Sequence, residues 1–234
     1  MFMRFVAFPT AFLFCMGSLQ AEEPVKWDDL MERAGLYYKK STDVPYTGQI
    51  TGQMQGRLED GLFDGPWVFN HSNGELGLKG DYRNGQREGS WEFYHENGLL
   101  KYKGSYKAGK KQGLWHFYTY DGELLEKGNY SNGEKDGPWV AYHYYGQVRV
   151  KGRYRHGKEE GSWASFHYNG RLRSEGTYQN GQKVGSWASY HENGQLKTKG
   201  NYKNGQRDGP WDVYEKDGTI DQMGRTYKDG VKVD

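Results

Sequence analysis

The stretch WEFYHENGLLKYKGSYKAGKKQGLW, residues 91–115, begins and ends with tryptophan, and its pattern recurs along most of the chain. Seven tryptophans follow one another at intervals of 24 residues: Trp67, Trp91, Trp115, Trp139, Trp163, Trp187 and Trp211. When each tryptophan is counted as position 0, glycine stands at positions −2, +7 and +13 of every unit. Repeats of this length are typical of chains whose units bury their apolar side chains against neighbouring units. The sequence therefore predicts a repeat protein.

Each unit carries two turn signals. Asn-Gly or a similar pair stands at +6/+7, as in Asn97-Gly98, and again at +17/+18, as in Asn84-Gly85. Asn-Gly between aromatic-rich stretches is the strongest short-range signal for a hairpin with a type I′ turn, in which both central residues need positive φ. The sequence predicts two-residue turns at both places. The fold class is then all-β: an elongated antiparallel sheet of tandem 24-residue hairpins, with about fourteen short strands.

A two-residue first turn fixes which residues face each other. It pairs each tryptophan with the glycine at +13, the glycine at −2 with the tyrosine at +15, and the residue at +4 with the aliphatic residue at +9. We therefore expect each indole ring to cover the glycine of its own unit, with Trp91 over Gly104 and Trp139 over Gly152. The glycines with this structural role are Gly80, Gly104, Gly128, Gly152, Gly176 and Gly200.

The first 21 residues differ from the rest of the chain. One positive charge at Arg4 precedes an apolar run to Met16, and small and polar residues follow up to Ala21. This order is that of a secretory signal peptide over residues 1–21, with cleavage near Ala21; an uncleaved membrane anchor is the alternative. Cys15 is the only cysteine, so the mature chain is expected to have no disulfide and no thiolate metal site. We expect a secreted protein of the bacterial periplasm or outer envelope, without a transmembrane span.

The segments that flank the regular units depart from the pattern, as caps of a repeat array do. Residues 22–43 are predicted to form an N-terminal cap, with a short helix ending at Gly35 and then a strand. Residues 44–66 resemble a leading unit without its tryptophan, and residues 67–234 contain the seven units. In the last unit Thr226 stands where tyrosine is expected, and Tyr227 follows one residue late.

Composition excludes several functional classes. The net charge of +2 is too small for a strongly basic nucleic-acid binder, so no nucleic-acid partner is expected. The chain carries no nucleophile elbow, no phosphate loop and no His-x-x-x-His pair, and near-equal units provide no unique pocket. The sequence therefore predicts neither an enzyme nor a cofactor.

A row of histidines at +4 is the only pattern that suggests a metal: His71, His95, His143, His167 and His191. Equivalent residues of successive units lie two strands apart, or about 10 Å. Two imidazoles that share one Zn²⁺ each lie about 2 Å from it, so neighbouring histidines of the row cannot share a metal. We expect no metal site and interpret the row as strand-end packing.

The face of the sheet opposite the tryptophans is the candidate ligand face. Aromatic residues stand at +3: Tyr94, Tyr118, Tyr142, Phe166, Tyr190 and Tyr214. Cations are expected opposite them at +10 (Lys101, Arg149, Arg173 and Lys197) and diagonal to them at +12 (Lys79, Lys103, Lys127, Lys151 and Lys199). Aromatics interleaved with cations suit an anionic polymer, a lipid headgroup or an acidic protein. The alternative is a solvated face whose lysines suppress edge pairing.

The unit Gly-x-Trp, Asn-Gly-x-Leu, Gly-x-Tyr, Asn-Gly resembles the MORN family in its bacterial variant form, and residues 190–211, YHENGQLKTKGNYKNGQRDGPW, are close to its consensus. Similar proteins are often labelled antitoxins of the YwqK type. The resemblance implies an elongated, non-enzymatic hairpin sheet used for contacts with proteins or with anionic lipid.

Three functions follow from these observations. The first is a secreted scaffold that binds a partner protein or an anionic envelope surface. The second is an antitoxin-like inhibitor that masks one partner. The third is a cell-wall glycan binder, in which the same tyrosines would stack on sugars. The ligand and the oligomeric state are left open by the sequence.

Overall fold

The structure, a computed structural model, describes residues 23–233, so the expected signal peptide lies outside the described residues. The first strands are β1 (Val25–Lys26), β2 (Leu30–Arg33), β3 (Leu36–Lys39), β4 (Gly48–Thr51) and β5 (Met54–Glu59). The seven units supply β6 (Leu62–Asn70), β7 (Leu76–Arg83), β8 (Gln86–Tyr94), β9 (Leu100–Lys107), β10 (Lys110–Tyr118), β11 (Leu124–Ser131), β12 (Glu134–Tyr142), β13 (Val148–Arg155), β14 (Lys158–Phe166), β15 (Leu172–Gln179), β16 (Gln182–Tyr190), β17 (Leu196–Lys203), β18 (Gln206–Tyr214) and β19 (Ile220–Lys228), and β20 (Val231–Lys232) follows them.

Consecutive hairpins build one long sheet of 18 strands. Each strand from β4 to β20 pairs antiparallel with the next strand along the chain. The short strand β1 pairs with β4 in parallel, and β2 and β3 form a separate two-stranded hairpin. The all-β repeat architecture predicted from the sequence is confirmed.

The N-terminal segment is a hairpin, and the prediction of a helix that ends at Gly35 is wrong. Only a 3₁₀ turn forms at Trp27–Asp29 before β2 begins. Ala34 and Gly35 have φ values of 50° and 80°, the two positive values that a type I′ turn needs, and they join β2 to β3. This hairpin packs its Leu30 onto Tyr46, Ile50, Leu58 and Trp67, which shields the first regular unit from solvent.

The two turns of a unit differ. Asn84 and Gly85 have φ values of 49° and 74°, so the second turn is the expected two-residue type I′ turn. In the first turn only Gly98 has positive φ, at 80°. The Gly98 amide donates to the His95 carbonyl at 2.9 Å, and the His95 amide donates to the Leu99 carbonyl at 2.8 Å. The first turn is therefore a three-residue loop closed by a glycine bulge, and the prediction of a two-residue loop is wrong.

The longer loop changes the pairing near the turn. Trp91 still pairs with Gly104 and Gly89 with Tyr106, the register predicted from the sequence. Closer to the turn, Tyr94 at +3 pairs with Leu100 at +9, and Lys101 is the extra residue of a β-bulge. The expected pairing of +4 with +9 is therefore wrong.

Each indole ring lies over the glycine of the preceding unit. A β-carbon built on Gly152 would overlap the ring of Trp163, and one built on Gly80 would overlap the ring of Trp91. The expectation that Trp139 covers Gly152 is wrong: Trp139 lies against Gly128. The cause is a bulge opposite each of these glycines. Opposite Gly80, for example, β8 has three residues, Gly89 to Trp91, where β7 has one, and Gly89 has a φ of +66°.

The tryptophans and the +15 tyrosines form one continuous core along the sheet. The Tyr106 ring meets Trp91 at 5.9 Å and Trp115 at 5.0 Å, edge to face in both cases. The same alternation reaches Tyr202 and Trp211. The seven tryptophans are between 0% and 8% exposed. Because each tyrosine contacts the tryptophans of two units, the core has no boundary between repeats.

The indole N–H groups bind backbone across the same junctions. Nε1 of Trp91 donates to the carbonyl of Asp81 at 3.1 Å, and Nε1 of Trp163 donates to that of Arg153 at 3.2 Å. Trp139 departs from this pattern and donates to a carboxylate oxygen of Glu126 at 3.3 Å. The polar atom of a buried ring is thus satisfied by the preceding unit.

Gly152→Ala tests which tryptophan covers this glycine. We expect the variant to lose about 1–3 kcal/mol of unfolding free energy, because the added methyl group overlaps the Trp163 ring. In a Trp163→Leu background the added cost should shrink, whereas in a Trp139→Leu background it should persist. Denaturant unfolding of the double-mutant cycles measures both couplings. The exposed neighbour Lys151→Ala is the control, and rescue by Trp139→Leu alone would contradict this geometry.

Candidate functional site

The lysine face is the surface opposite the tryptophans, formed by side chains at +1, +3 and +12. Side chains alternate along a strand, so Tyr94 lies on the opposite face from Trp91. Nζ of Lys79 lies 2.8 Å from Oε2 of Glu92 and 5.9 Å from the centre of the Tyr94 ring. The Tyr94 hydroxyl donates to the same Oε2 at 2.5 Å. Hydrogen bonds from Lys79 and then Tyr94 lower the pKa of the Glu92 carboxyl.

Two of the +12 cations, Lys79 and Lys151, meet the aromatic residue of the next unit. Lys151 lies 5.4 Å from the centre of the Phe166 ring, and Glu175, which replaces lysine in its unit, accepts from the Tyr190 hydroxyl at 2.9 Å. Burial, and then Glu175, raise the pKa of Tyr190. The expected partnership between +3 and +10 is wrong, because +10 is the bulge residue. The four side chains at that position are exposed: Lys101, Arg149, Arg173 and Lys197.

Lys103 and Lys127 have a different neighbour. Both pair with His116, one from each adjacent strand, and the His116 ring stacks toward Tyr118 at 6.5 Å. Burial, then Lys103 and Lys127, lower the pKa of this histidine. The middle of the lysine face therefore holds an imidazole between two ammonium groups, which disfavour its protonation.

A groove of about 930 Å³ crosses the next part of the lysine face, from β12 to β17. The +1 residues on its floor are small: Val140, Ala164 and Ala188. Three of the other four units have a larger polar residue there, Glu92, His116 or Asp212, and the first has Val68. The groove exists because three successive units have small side chains at +1.

Charges of alternating sign line this groove. Lys151, Glu175 and Lys199 occupy the +12 position of three successive units. Strand spacing places them about 10 Å apart. Lys151 pairs with Val140 and Ala164 on its two sides, so neither cross-strand neighbour neutralises it. An extended ligand in the groove would therefore meet positive, negative and positive charge in turn.

A second row of cations lies on the tryptophan face and was missed in the sequence. Charged residues four positions before the tryptophan lie over its ring, at 3.8–4.8 Å from the centroid: Arg87, Lys111, Lys135, Lys183 and Arg207. Burial, then Lys135 and Arg87, lower the pKa of Lys111. Four of these cations also cover a +15 tyrosine, as Lys135 covers Tyr154 at 4.9 Å, and Arg207 covers Tyr227 at +16. These cations cover the core, and the regular charge at −4 was the signal that could have revealed them.

Four of the five +4 histidines join neighbouring units through backbone hydrogen bonds, and Nε2 of the fifth, His95, is buried without a hydrogen-bond partner among the described residues. His71, His143, His167 and His191 each place Nε2 at 2.9–3.1 Å from a carbonyl oxygen 23 residues later. A carbonyl accepts only, so Nε2 carries the proton in each of these rings. Within residues 23–233 no cluster of three or more His, Cys, Asp or Glu is placed to hold a metal ion.

The asparagine of the first turn serves the same purpose. Nδ2 of Asn97 donates to the Tyr120 carbonyl at 2.8 Å, and Nδ2 of Asn169 donates to the Glu192 carbonyl at 2.8 Å. Oδ1 of each asparagine accepts from a backbone amide of its own turn. This residue is therefore selected for its side-chain amide, which links one turn to the next.

The repeating hairpin, with its buried Trp, Gly and Tyr, is the part of the chain that matches a known repeat family. Three of the units match the MORN repeat variant. The matching segments are residues 87–108, 159–180 and 183–204, and each runs from the −4 position through the hairpin to the second turn. In each of these three units the −4 residue, the tryptophan and the +13 glycine lie inside the match; the −4 residue is Arg87 or Lys183 in two of them and Glu159 in the third.

Other comparisons add little. No curated protein matches the chain. A crystal structure of a GtfA/B complex bound to UDP and GlcNAc is 12% identical over 68% of this chain and 27% of its own, with a TM-score of 0.20. The chain thus spans about a quarter of that protein's length, and a TM-score this low carries no argument. Within residues 23–233 no helix is long and apolar enough to cross a membrane.

Glu159→Lys tests the cation row. Glu159 holds the −4 position beside Trp163, where five of the other units have Lys or Arg and the first unit has Phe63. Its charge also raises the pKa of Tyr154 and Tyr178, after the larger effect of burial. We expect the variant to gain roughly 0.5–1 kcal/mol in unfolding free energy, because a cation then covers Trp163.

Lys183→Glu is the matched reversal in the next unit and should lose a similar amount. Denaturant unfolding at low and high salt measures both variants. A stabilised Lys183→Glu protein would show that the cation row does not stabilise the core.

Proposed function

We propose that the chain is a non-enzymatic repeat scaffold that holds an extended segment of a partner protein in the groove of its lysine face. The observation that supports this is the alternation of Lys151, Glu175 and Lys199 along a floor of small residues. A strand-like peptide lies flat on such a floor, and its charged side chains can match both signs.

The mixed charge favours a protein over a uniformly anionic surface. A lipid headgroup layer or anionic polymer would meet the Glu175 carboxylate in the middle of the groove. The net charge of +2 also gives weak attraction to anionic surfaces over distance. We therefore assign Lys103, Lys127 and Lys151 to steering and orientation of a protein partner rather than to capture of a membrane.

We place the protein in the bacterial periplasm or outer envelope, because residues 1–21 have the pattern of a secretory signal peptide. We propose no catalytic activity. The titratable groups at +12 in the groove are two exposed lysines and a glutamate, and the glutamate is hydrogen-bonded to Tyr190. No nucleophile and base are paired there.

A photo-cross-linking amino acid at position 164 tests the proposal. Ala164 lies on the floor of the groove, so cross-linking in the native cell envelope should give discrete protein adducts. The same reagent at position 108, an exposed second-turn alanine, is the control and should not give these adducts. Addition of Glu175→Lys should weaken the adducts, because it removes the one negative charge of the row.

Glu175→Lys also separates the alternatives. A protein partner should be bound less well, whereas vesicles containing anionic lipid should be bound better by a face with one more lysine. A single adduct in stoichiometric amount would favour the antitoxin-like inhibitor over a general scaffold. Identical adducts at positions 164 and 108 would contradict a role for the groove.

A further inference from the structure

The edge of the sheet formed by the first turns carries a row of exposed tyrosines. Position +5 is tyrosine in three successive units: Tyr120, Tyr144 and Tyr168. The flanking units have Glu96 and Glu192 there. Tyr145, at the next position of the middle unit, joins the row. These four side chains are 56%, 53%, 73% and 85% exposed, in the order Tyr120, Tyr144, Tyr168 and Tyr145.

The rings are held in place by the preceding unit. Tyr168 lies on the ring of His143 with centroids 4.0 Å apart and planes inclined by 32°. Tyr120 meets the His95 ring edge to face, with centroids 5.1 Å apart and planes inclined by 62°. The Tyr144 hydroxyl donates to Oδ2 of Asp121 at 2.7 Å. Rings fixed on one side and exposed on the other lose little entropy when a flat ligand stacks on them.

The spacing of the row suits an extended polymer. Equivalent turns lie two strands apart, so successive +5 tyrosines are separated by about 10 Å. This step is close to the length of a disaccharide in an extended β-1,4-linked chain. Tyr145 lies beside Tyr144, with centroids 5.3 Å apart and perpendicular planes, and widens the middle of the row.

The charges around the row exclude several other ligands. Asp121 and Glu123 lie in the Tyr120 turn and are exposed, Arg171 in the Tyr168 turn is the one cation of the three turns, and Glu96 and Glu192 continue the edge on either side. These carboxylates repel nucleic acid, acidic polysaccharide and anionic lipid. A carboxylate beside aromatic rings suits neutral sugars, because it accepts hydrogen bonds from hydroxyl groups while the rings stack on the polarised C–H faces of pyranoses.

We propose that Tyr120, Tyr144, Tyr145 and Tyr168 form a binding row for a neutral, extended β-1,4-linked glycan, with Asp121 as an acceptor for its hydroxyl groups. The row lies at the turn edge, away from the lysine-face groove, so the proposal is independent of the function proposed above. It gives the protein a second binding surface whose ligand is a carbohydrate.

Calorimetric titration with β-1,4-linked glucose and N-acetylglucosamine hexasaccharides tests the row. We expect the wild-type chain to bind at least one of them. A variant with Tyr120→Ser, Tyr144→Ser, Tyr168→Ser and Tyr145→Asn should bind roughly tenfold more weakly or not at all. Asparagine at 145 is the residue that four of the other units have at +6, so the fold should be kept.

Two control variants separate stacking from other effects. Replacement of the same four tyrosines by phenylalanine keeps the ring faces and should retain binding within about twofold. Glu96→Ser with Glu192→Ser changes the same turn position in flanking units and should retain binding as well. Circular dichroism and the melting temperature verify that each variant is folded.

Three results would overturn the proposal. The first is that the wild-type chain binds neither hexasaccharide. The second is that the serine variant binds as tightly as wild type. The third is that the tyrosines are needed for sedimentation with phosphatidylglycerol vesicles while the hexasaccharides do not compete, which would identify the row as a membrane contact.

Discussion

The close packing of each tryptophan ring on the glycine of the preceding unit is the constraint on which the rest of the structure depends. A side chain on Gly80 or Gly152 would occupy the space of the next indole ring. The ring position in turn requires the bulge at the glycine two residues before it, which adopts left-handed φ. Glycine, bulge and tryptophan are therefore one unit of geometry, and the 24-residue period is the chain length that returns it to the same place on the next hairpin.

The same constraint divides the molecule into surfaces with different structural roles. One face is occupied by the Trp–Tyr core and by the cations that cover it, such as Lys135. Four of the histidines and the asparagines of the first turns bind the backbone of the next unit. Only the opposite face and the turn tips are then free to vary between units. The groove over Ala164 and the tyrosines of three successive turns both lie where the repeat pattern relaxes.

The sequence alone predicts the hairpins, the second turn and the pairing of Trp91 with Gly104, because these follow from short-range chemistry. It does not predict the first turn, because Asn97 is used for a hydrogen bond to the next unit rather than for its φ angle. The direction in which the indole ring leans also depends on a neighbouring strand. A pairing rule within one hairpin places Trp139 over Gly152, and only the bulge between hairpins shows that Trp163 is there.

The candidate site could be predicted only in part, because some of its contacts depend on neighbouring strands. The sequence identifies the face that carries Tyr94 and Lys103, since alternation along a strand is local. It does not give the partners across the bulge, so Lys101 was placed opposite an aromatic ring that it does not pair with. The small residues at Val140, Ala164 and Ala188 are visible in the sequence. Their role as the floor of a groove becomes clear only when the charged residues of the adjoining strands are placed beside them.

The direction of the tryptophan contact also bears on the order in which the units can fold during synthesis. Each ring covers a glycine that precedes it in the sequence, from Gly56 under Trp67 to Gly200 under Trp211. A chain emerging from the ribosome, or crossing a membrane N-terminus first, therefore presents every glycine strand before the ring that covers it. Each new hairpin docks on an edge that already exists, starting from the N-terminal hairpin. The sheet can grow in the order of synthesis, because the glycine that each tryptophan covers is already in place when the ring arrives.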